Sequence, residues 1–213
     1  MKIRSLEQLV DFTSNEISWR RKELLDLKFL VQTHKATDKV DTYIRSGVTL
    51  LYSHWEGFVK ATGTAYLCYI SMGRHTYKNL KPNLIALSIK DKLNLASESK
   101  KSETHNKVAE FFVYGMEDRS SIPWENVINT KSNLNSDVLE DIVNTLGLDF
   151  SPYETKRKFL DEKLLKSRNE IAHGKHLLVS FESYQEFHKE VSELLDLFRN
   201  QIDNAAVTKS FMR

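Results

Sequence analysis

VDTYIRSGVTLLYSHWEGFVKATGTAYLCYI, from Val40 to Ile70, is the stretch on which the fold turns. Val40, Tyr43, Ile44, Val48, Leu51, Trp55, Phe58, Val59, Thr62, Tyr66 and Ile70 recur at three- and four-residue steps, the period that puts side chains on one face of an α-helix. No proline interrupts the run. At 1.5 Å per residue it predicts a central core helix roughly 45 Å long, with Thr37 or Asp38 as its cap. Gly47, Gly57 and Gly63 lie inside it, each disfavoured by about 1 kcal/mol relative to Ala; close approach of another helix is the expected compensation. His54 and Glu56 place polar groups beside Trp55 and Phe58, as a pair on the wet side of an amphipathic helix would.

Two further long helices flank this one in sequence. Ser5-Leu6-Glu7-Gln8 has the form of a capping box, and Leu6, Leu9, Val10, Thr13, Ile17, Leu24, Leu27 and Val31 carry an apolar stripe to about Thr33. Trp19 and Phe29 lie off it, as partner contacts or as isolated exposed aromatics. Near the other end, Ser183-Tyr184-Gln185-Glu186 reads as a second capping box, followed by a stripe of Phe187, Val191, Leu194, Leu195, Phe198 and Ile202. The tail after Ala206 is expected to fray. Between the long helices, Gly73 to Pro82 reads as a loop, Leu84 to Ser97 and Ser102 to Met116 as helices, and 117–134 as irregular around Pro123. Ser136 to Leu146 is a helix closed by Gly147. The reading is an all-α antiparallel bundle in a single domain, 1–213, with about 81–135 as a helical and irregular insertion packed on it.

Chemistry concentrates in SRNEIAHG, Ser167 to Gly174. It closes a charged segment whose apolar side is Phe159, Leu160, Leu164, Leu165 and Ile171. At about 100° per residue, Asn169 and His173 share a face, while Arg168 sits roughly 140° from His173 and flanks the pair. Gly174 is placed as a C′ residue, leaving His173 in the last turn, where free carbonyls favour an imidazolium. A fixed cation, an amide and a group that titrates near neutrality suit phosphodiester cleavage, which needs proton transfer and positive charge on a crowded phosphate. From Glu154 to His176 there are seven Lys or Arg against four acids, a local excess larger than the +2 of the whole chain.

At these residues the chain resembles the HEPN superfamily, whose signature is Arg-x4-His, and more narrowly a subgroup of stand-alone bacterial HEPN-like nucleases. LLYSHWEGFVKAT at Leu50 to Thr62, NTKSNLNSDVL at Asn129 to Leu139 and LGLD before the motif add to the likeness, which spans about residues 40–205. The resemblance implies a homodimer in which two motifs face each other, supplying the second proton carrier that one His per chain lacks. It implies an endoribonuclease working by attack of the ribose 2′-hydroxyl, with Arg168, Asn169 and His173 as catalytic residues. Glu56 and Lys166 are supporting candidates, Glu56 by orienting Arg168 or facing the cleft, and Lys163 and Lys175 are candidate contacts to the RNA backbone. A toxin or anti-phage effector, held by an antitoxin or other regulatory protein, fits that subgroup. The alternative is a non-catalytic HEPN-like module that binds nucleotide, RNA or a protein partner.

Other chemistries lack their signals. The seven histidines show no HExxH or finger spacing, and there is no phosphate loop or strand-linked GxGxxG, so neither metal nor cofactor is expected. Cys68 is the single cysteine and has no CxxC partner, as suits a reducing cytoplasm. No apolar run reaches bilayer-spanning length, and the first residues lack the apolar core of a signal peptide, so a cytoplasmic protein with no membrane partner is expected.

Overall fold

In the computed structural model, which describes residues 2–213, the regular elements are helices: no strand forms among the described residues, and extended pairing is confined to two isolated bridges, Thr76 with Arg119 and Leu80 with Met212. The first helix, α1 (Leu6–Thr33), starts at the predicted box with an offset. Ser5 Oγ accepts from the Gln8 N–H at 3.2 Å, but Gln8 Oε1 accepts from the Arg4 N–H at 2.8 Å, one residue before the cap.

The second helix, α2 (Val40–Met72), is the centre of the bundle. Leu51, Tyr52, Trp55, Phe58 and Val59 are fully buried. From Ala65 to Cys68 four consecutive residues are buried, more than one turn, so this end is covered on every side. Neither Thr37 nor Asp38 caps it. The Thr37 hydroxyl donates to the His34 carbonyl at 2.9 Å and closes the α1–α2 turn instead, and the helix begins without a side-chain cap.

The last long helix is α7 (Phe181–Val207), and α1, α2 and α7 pack against one another in all three pairings. Its cap is Ser180, whose Oγ accepts from the Ser183 N–H at 3.1 Å, three residues ahead of the predicted start. Trp55 and Phe58 of α2 meet Phe198 of α7 edge to face, with ring centroids 6.2 and 6.4 Å apart. The glycine expectation holds most clearly at Gly47, where a Cβ would stand 2.5 Å from the Tyr184 ring. At the α1–α7 seam, Thr13 Oγ1 donates to Asp203 and Arg199 donates to Ser14 Oγ, at 2.9 and 2.8 Å.

The middle of the chain contributes α3 (Pro82–Glu98), α4 (Ser102–Tyr114) and α5 (Ser136–Leu146). Leu84, Ile85 and Ile89 bury the first half of α3, while Leu93 and Leu95 are exposed; α4 buries only Phe111. The α3–α4 pair is thus an arm anchored at one end. α5 starts with Asn135 Oδ1 accepting the Val138 N–H at 2.8 Å and ends at Gly147 with φ +70°. The tail does not fray. Phe211 is buried against Tyr66, Tyr69 and His75, its carbonyl accepts the Lys81 N–H at 3.0 Å, and the Arg213 N–H donates to Asn79 at 2.9 Å.

Candidate functional site

The motif arrives on a helix whose pitch changes along its length. A 3₁₀ stretch, Ser151–Lys156, leads to a π-helical segment, Phe159–Leu165, and then to the short α6 (Lys166–Ala172). The sequence explains the wide turn. Phe159 and Leu164, and Leu160 and Leu165, are five residues apart; on an α-helix each pair would diverge by about 140°, whereas the i→i+5 turn lets all four be buried together. Asp161 on this segment accepts from the Ser136 N–H and Oγ at 2.7 and 2.6 Å, tying the π turn to the start of α5.

Gly174 ends the motif with φ +78°. The Lys175 N–H returns to the Glu170 carbonyl at 2.9 Å and the Gly174 N–H to Ile171 at 3.0 Å, the paired bonds of a Schellman cap. His173 is therefore the last residue before the chain turns, and it is exposed.

Arg168 is held from four sides. Its guanidinium lies 4.2 Å from the centre of the Tyr52 ring, a cation–π contact. Nη1 donates to Asn169 Oδ1 at 2.7 Å and to Asn133 Oδ1 at 3.4 Å; Nη2 donates to the Ser132 carbonyl at 3.3 Å and lies 3.7 Å from Glu56. Tyr52 is itself fixed, because its hydroxyl accepts the Leu134 N–H at 2.6 Å. Burial pushes the phenol up to about 12, and the neighbouring Glu56 adds to the shift as a negative charge and as an acceptor for the hydroxyl. The loop over Arg168 makes its turn with two non-glycine residues in the left-handed region, Lys131 at φ +52° and Ser132 at +58°.

His173 faces elsewhere. It lines a groove of about 440 Å³ with Lys166, Asn169, Lys175 and the acids Asp161, Glu162 and Glu170, whereas Arg168 and Glu56 line a separate cleft of about 410 Å³. Within one chain the fold thus unites Arg168 with Glu56 and Asn169 but leaves His173 across α6, with Asn169 reaching both. Lys163 is paired with Glu186 at 2.8 Å, and Lys175 lies 3.9 Å from Glu170. Among the described residues no group of three or more His, Cys, Asp or Glu is placed to share a metal ion, and no helix is long and apolar enough to cross a membrane.

The model of the family described as RiboL-PSP-HEPN matches residues 15–204, most of the chain. The chain belongs to that family. This places it in the HEPN superfamily, and no curated protein and no solved structure matches it. The RiboL-PSP-HEPN match takes in α2, the α3–α4 arm and the whole of α6, and stops short of the docked tail. Of the residues around Arg168, sequence reasoning reached Glu56 and Asn169 and missed Tyr52. Tyr52 lies outside the apolar stripe read for the core helix and entered only within LLYSHWEGFVKAT; its place next to Leu51 and one turn before Glu56 was the available signal.

His54, read as half of a wet-side pair, is buried. Its Nε2 lies 2.8 Å from Glu23 and its ring meets Trp19 edge-on at 5.2 Å. Burial lowers its pKa against the opposing pull of Glu23. It braces α1 against α2 on a side of the helix that Arg168 does not touch.

Proposed function

We propose that this RiboL-PSP-HEPN chain is a single domain, with about 81–135 as an insertion, and acts as a metal-independent endoribonuclease of the stand-alone bacterial HEPN-like subgroup. One observation carries the reading: the motif arginine is fixed on a rigid ring and held by Glu56 and Asn169, as a preorganised transition-state cation must be. Arg168 stabilises the crowded phosphate, His173 moves a proton, and Asn169 links the two sides of α6. Because His173 faces a different groove, the working site requires a second copy whose His173 meets the first copy's Arg168, giving a homodimer with composite sites. Attack of the 2′-hydroxyl would leave a 2′,3′-cyclic phosphate and a 5′-hydroxyl. A cytoplasmic toxin or anti-phage effector restrained by a regulatory protein fits this activity.

The test is cleavage of a mixed cellular RNA pool in EDTA by the chain, Arg168→Ala and His173→Ala, matched for oligomer size. Loss of cutting in both variants supports the reading; intact RNA with all three sinks it. The same separation of Arg168 from His173 favours a second reading, a non-catalytic module that binds RNA, nucleotide or protein. That reading expects a monomer, or a dimer whose RNA binding is indifferent to His173→Ala.

A further inference from the structure

The cleft in front of Arg168 holds a cation that the motif does not account for. Lys60 lies one turn beyond Glu56 on α2, so both point from the same helix face. It is exposed, lines the cleft, and has no carboxylate partner among the described residues. Arg168 is otherwise committed, with Glu56, Asn169, Asn133 and the Ser132 carbonyl around it. Lys60 brings an uncommitted charge and three donors.

Two hydroxyls complete the wall. Thr130 is only 6% exposed yet lines the cleft, and the exposed Ser132 stands beside it on the same wall. Hydroxyls on the wall of an open cleft add donors that a phosphate oxygen can accept. The lining contains no large apolar side chain, unlike a site built to grip a drug-sized molecule or a base. The one nearby aromatic face, that of Tyr52, is covered by Arg168. What remains is a donor-rich cleft of net positive charge: Lys60 and Arg168 against Glu56.

We propose that Lys60, Thr130 and Ser132 form a phosphate-binding subsite that holds the RNA backbone at the phosphate next to the one Arg168 stabilises. The inference rests on the ribonuclease reading and adds to it the side from which the strand enters. RNA approaches over α2 and the 129–134 loop, away from the His173 groove, whose three acids outnumber Lys166 and Lys175. A free nucleotide shares the phosphate but finds no platform for its base here, so the polymer backbone is the assigned ligand.

The experiment measures binding of a single-stranded RNA oligonucleotide carrying a 2′-O-methyl block at each ribose, and separately of ATP, across a salt series, with steady-state cleavage of the unblocked RNA alongside. Lys60→Gln, Lys60→Arg and the double variant Thr130→Val/Ser132→Ala are compared with Lys107→Gln, a lysine on the distant arm. One lost phosphate contact on a single strand lowers the slope of log K against log salt by about 0.7, which is roughly an eightfold loss at 50 mM salt and threefold at 200 mM. Lys60→Gln is expected to show that loss, with the effect falling on KM rather than kcat. Lys60→Arg should restore binding, and Lys107→Gln should match the parent. RNA that is bound and cut normally by Lys60→Gln overturns the subsite and leaves the nuclease reading standing. Equal losses with Lys107→Gln reduce the effect to bulk charge, and a loss confined to ATP reassigns the cleft to free nucleotide. If the parent neither binds nor cuts RNA, the subsite falls together with the reading beneath it.

Discussion

Arg168 and His173 sit at the two ends of one short helix and live in opposite surroundings. The arginine is laid on a ring, fenced by a carboxylate, two asparagines and a loop carbonyl; the histidine caps the helix in the open, with a free face toward a groove. Under the ribonuclease reading, the difference is a division of labour. A cation that stabilises a transition state works best when its position costs nothing at the moment of reaction. A proton carrier must instead reach water and a partner group. The fold spends its contacts on the first requirement and leaves the second to whatever covers the groove.

The largest expected effects break that contrast at its two poles. Under the ribonuclease reading, Arg168→Ala and His173→Ala each lower cleavage by about 10²–10⁴-fold. Their stabilities should part company. His173→Ala removes an exposed side chain and is expected within about 0.5 kcal/mol of the parent in urea unfolding, whereas Arg168→Ala strips the Tyr52 face and frees the 129–134 loop. Equal stability in the two variants would mean that the clamp around Arg168 holds nothing.

Next comes the ring beneath the arginine. Tyr52→Phe keeps the cation–π face but leaves the buried Leu134 N–H without its acceptor, an expected loss of about 1–3 kcal/mol. Cleavage should fall far less than in Arg168→Ala, because the guanidinium keeps its ring and Glu56. If Tyr52→Phe abolishes cleavage while staying folded, the hydroxyl itself belongs to the proposed chemistry and the division of labour is misdrawn.

At the other end of α6, Gly174 turns the chain at φ +78° with no atom within 4 Å of where a Cβ would stand. Gly174→Ala therefore meets no clash and bears only the left-handed backbone penalty, about 1–2 kcal/mol. Its expected signature is a modest loss of stability with a larger loss of activity, since the cap sets where His173 points. Unchanged cleavage would show that His173 needs no fixed address.

How far these features could be read in advance follows from how local their causes are. The long helices and Gly147 were legible because periodicity and one left-handed residue are written in adjacent positions. The start of α7 was misplaced because Ser180 and Ser183 both offer a cap, and only packing chooses between them; Phe181, beneath Lys35 at 4.0 Å, draws the helix back to Ser180. The π segment was written in the paired i, i+5 apolar positions and overlooked as an α stripe. Arg168, Asn169 and His173 were visible as a motif, but their separation into two clefts depends on Tyr52 and the 129–134 loop, which lie far from α6 in sequence. Phe211 looked like part of a loose end because its partners, Tyr66, Tyr69 and His75, belong to another part of the chain.

The finest test uses pH to weigh the histidines that the core encloses. Burial is the leading cause of a lowered pKa at His54, His75 and His188. Each is harder to protonate in the fold than in the unfolded chain, where it takes up a proton near its ordinary 6.5. The unfolded chain therefore binds more protons just below that value, and stability must rise with pH across the window. It is full above about 6.5 and is lost as pH falls toward the folded-state values. Urea midpoints should accordingly drop between pH 7.5 and 5.5, before most carboxylates titrate. His188→Gln should flatten the drop. An undiminished drop in His188→Gln would mean that burial at that position does not oppose protonation, and the enclosed histidines would lose one of their members.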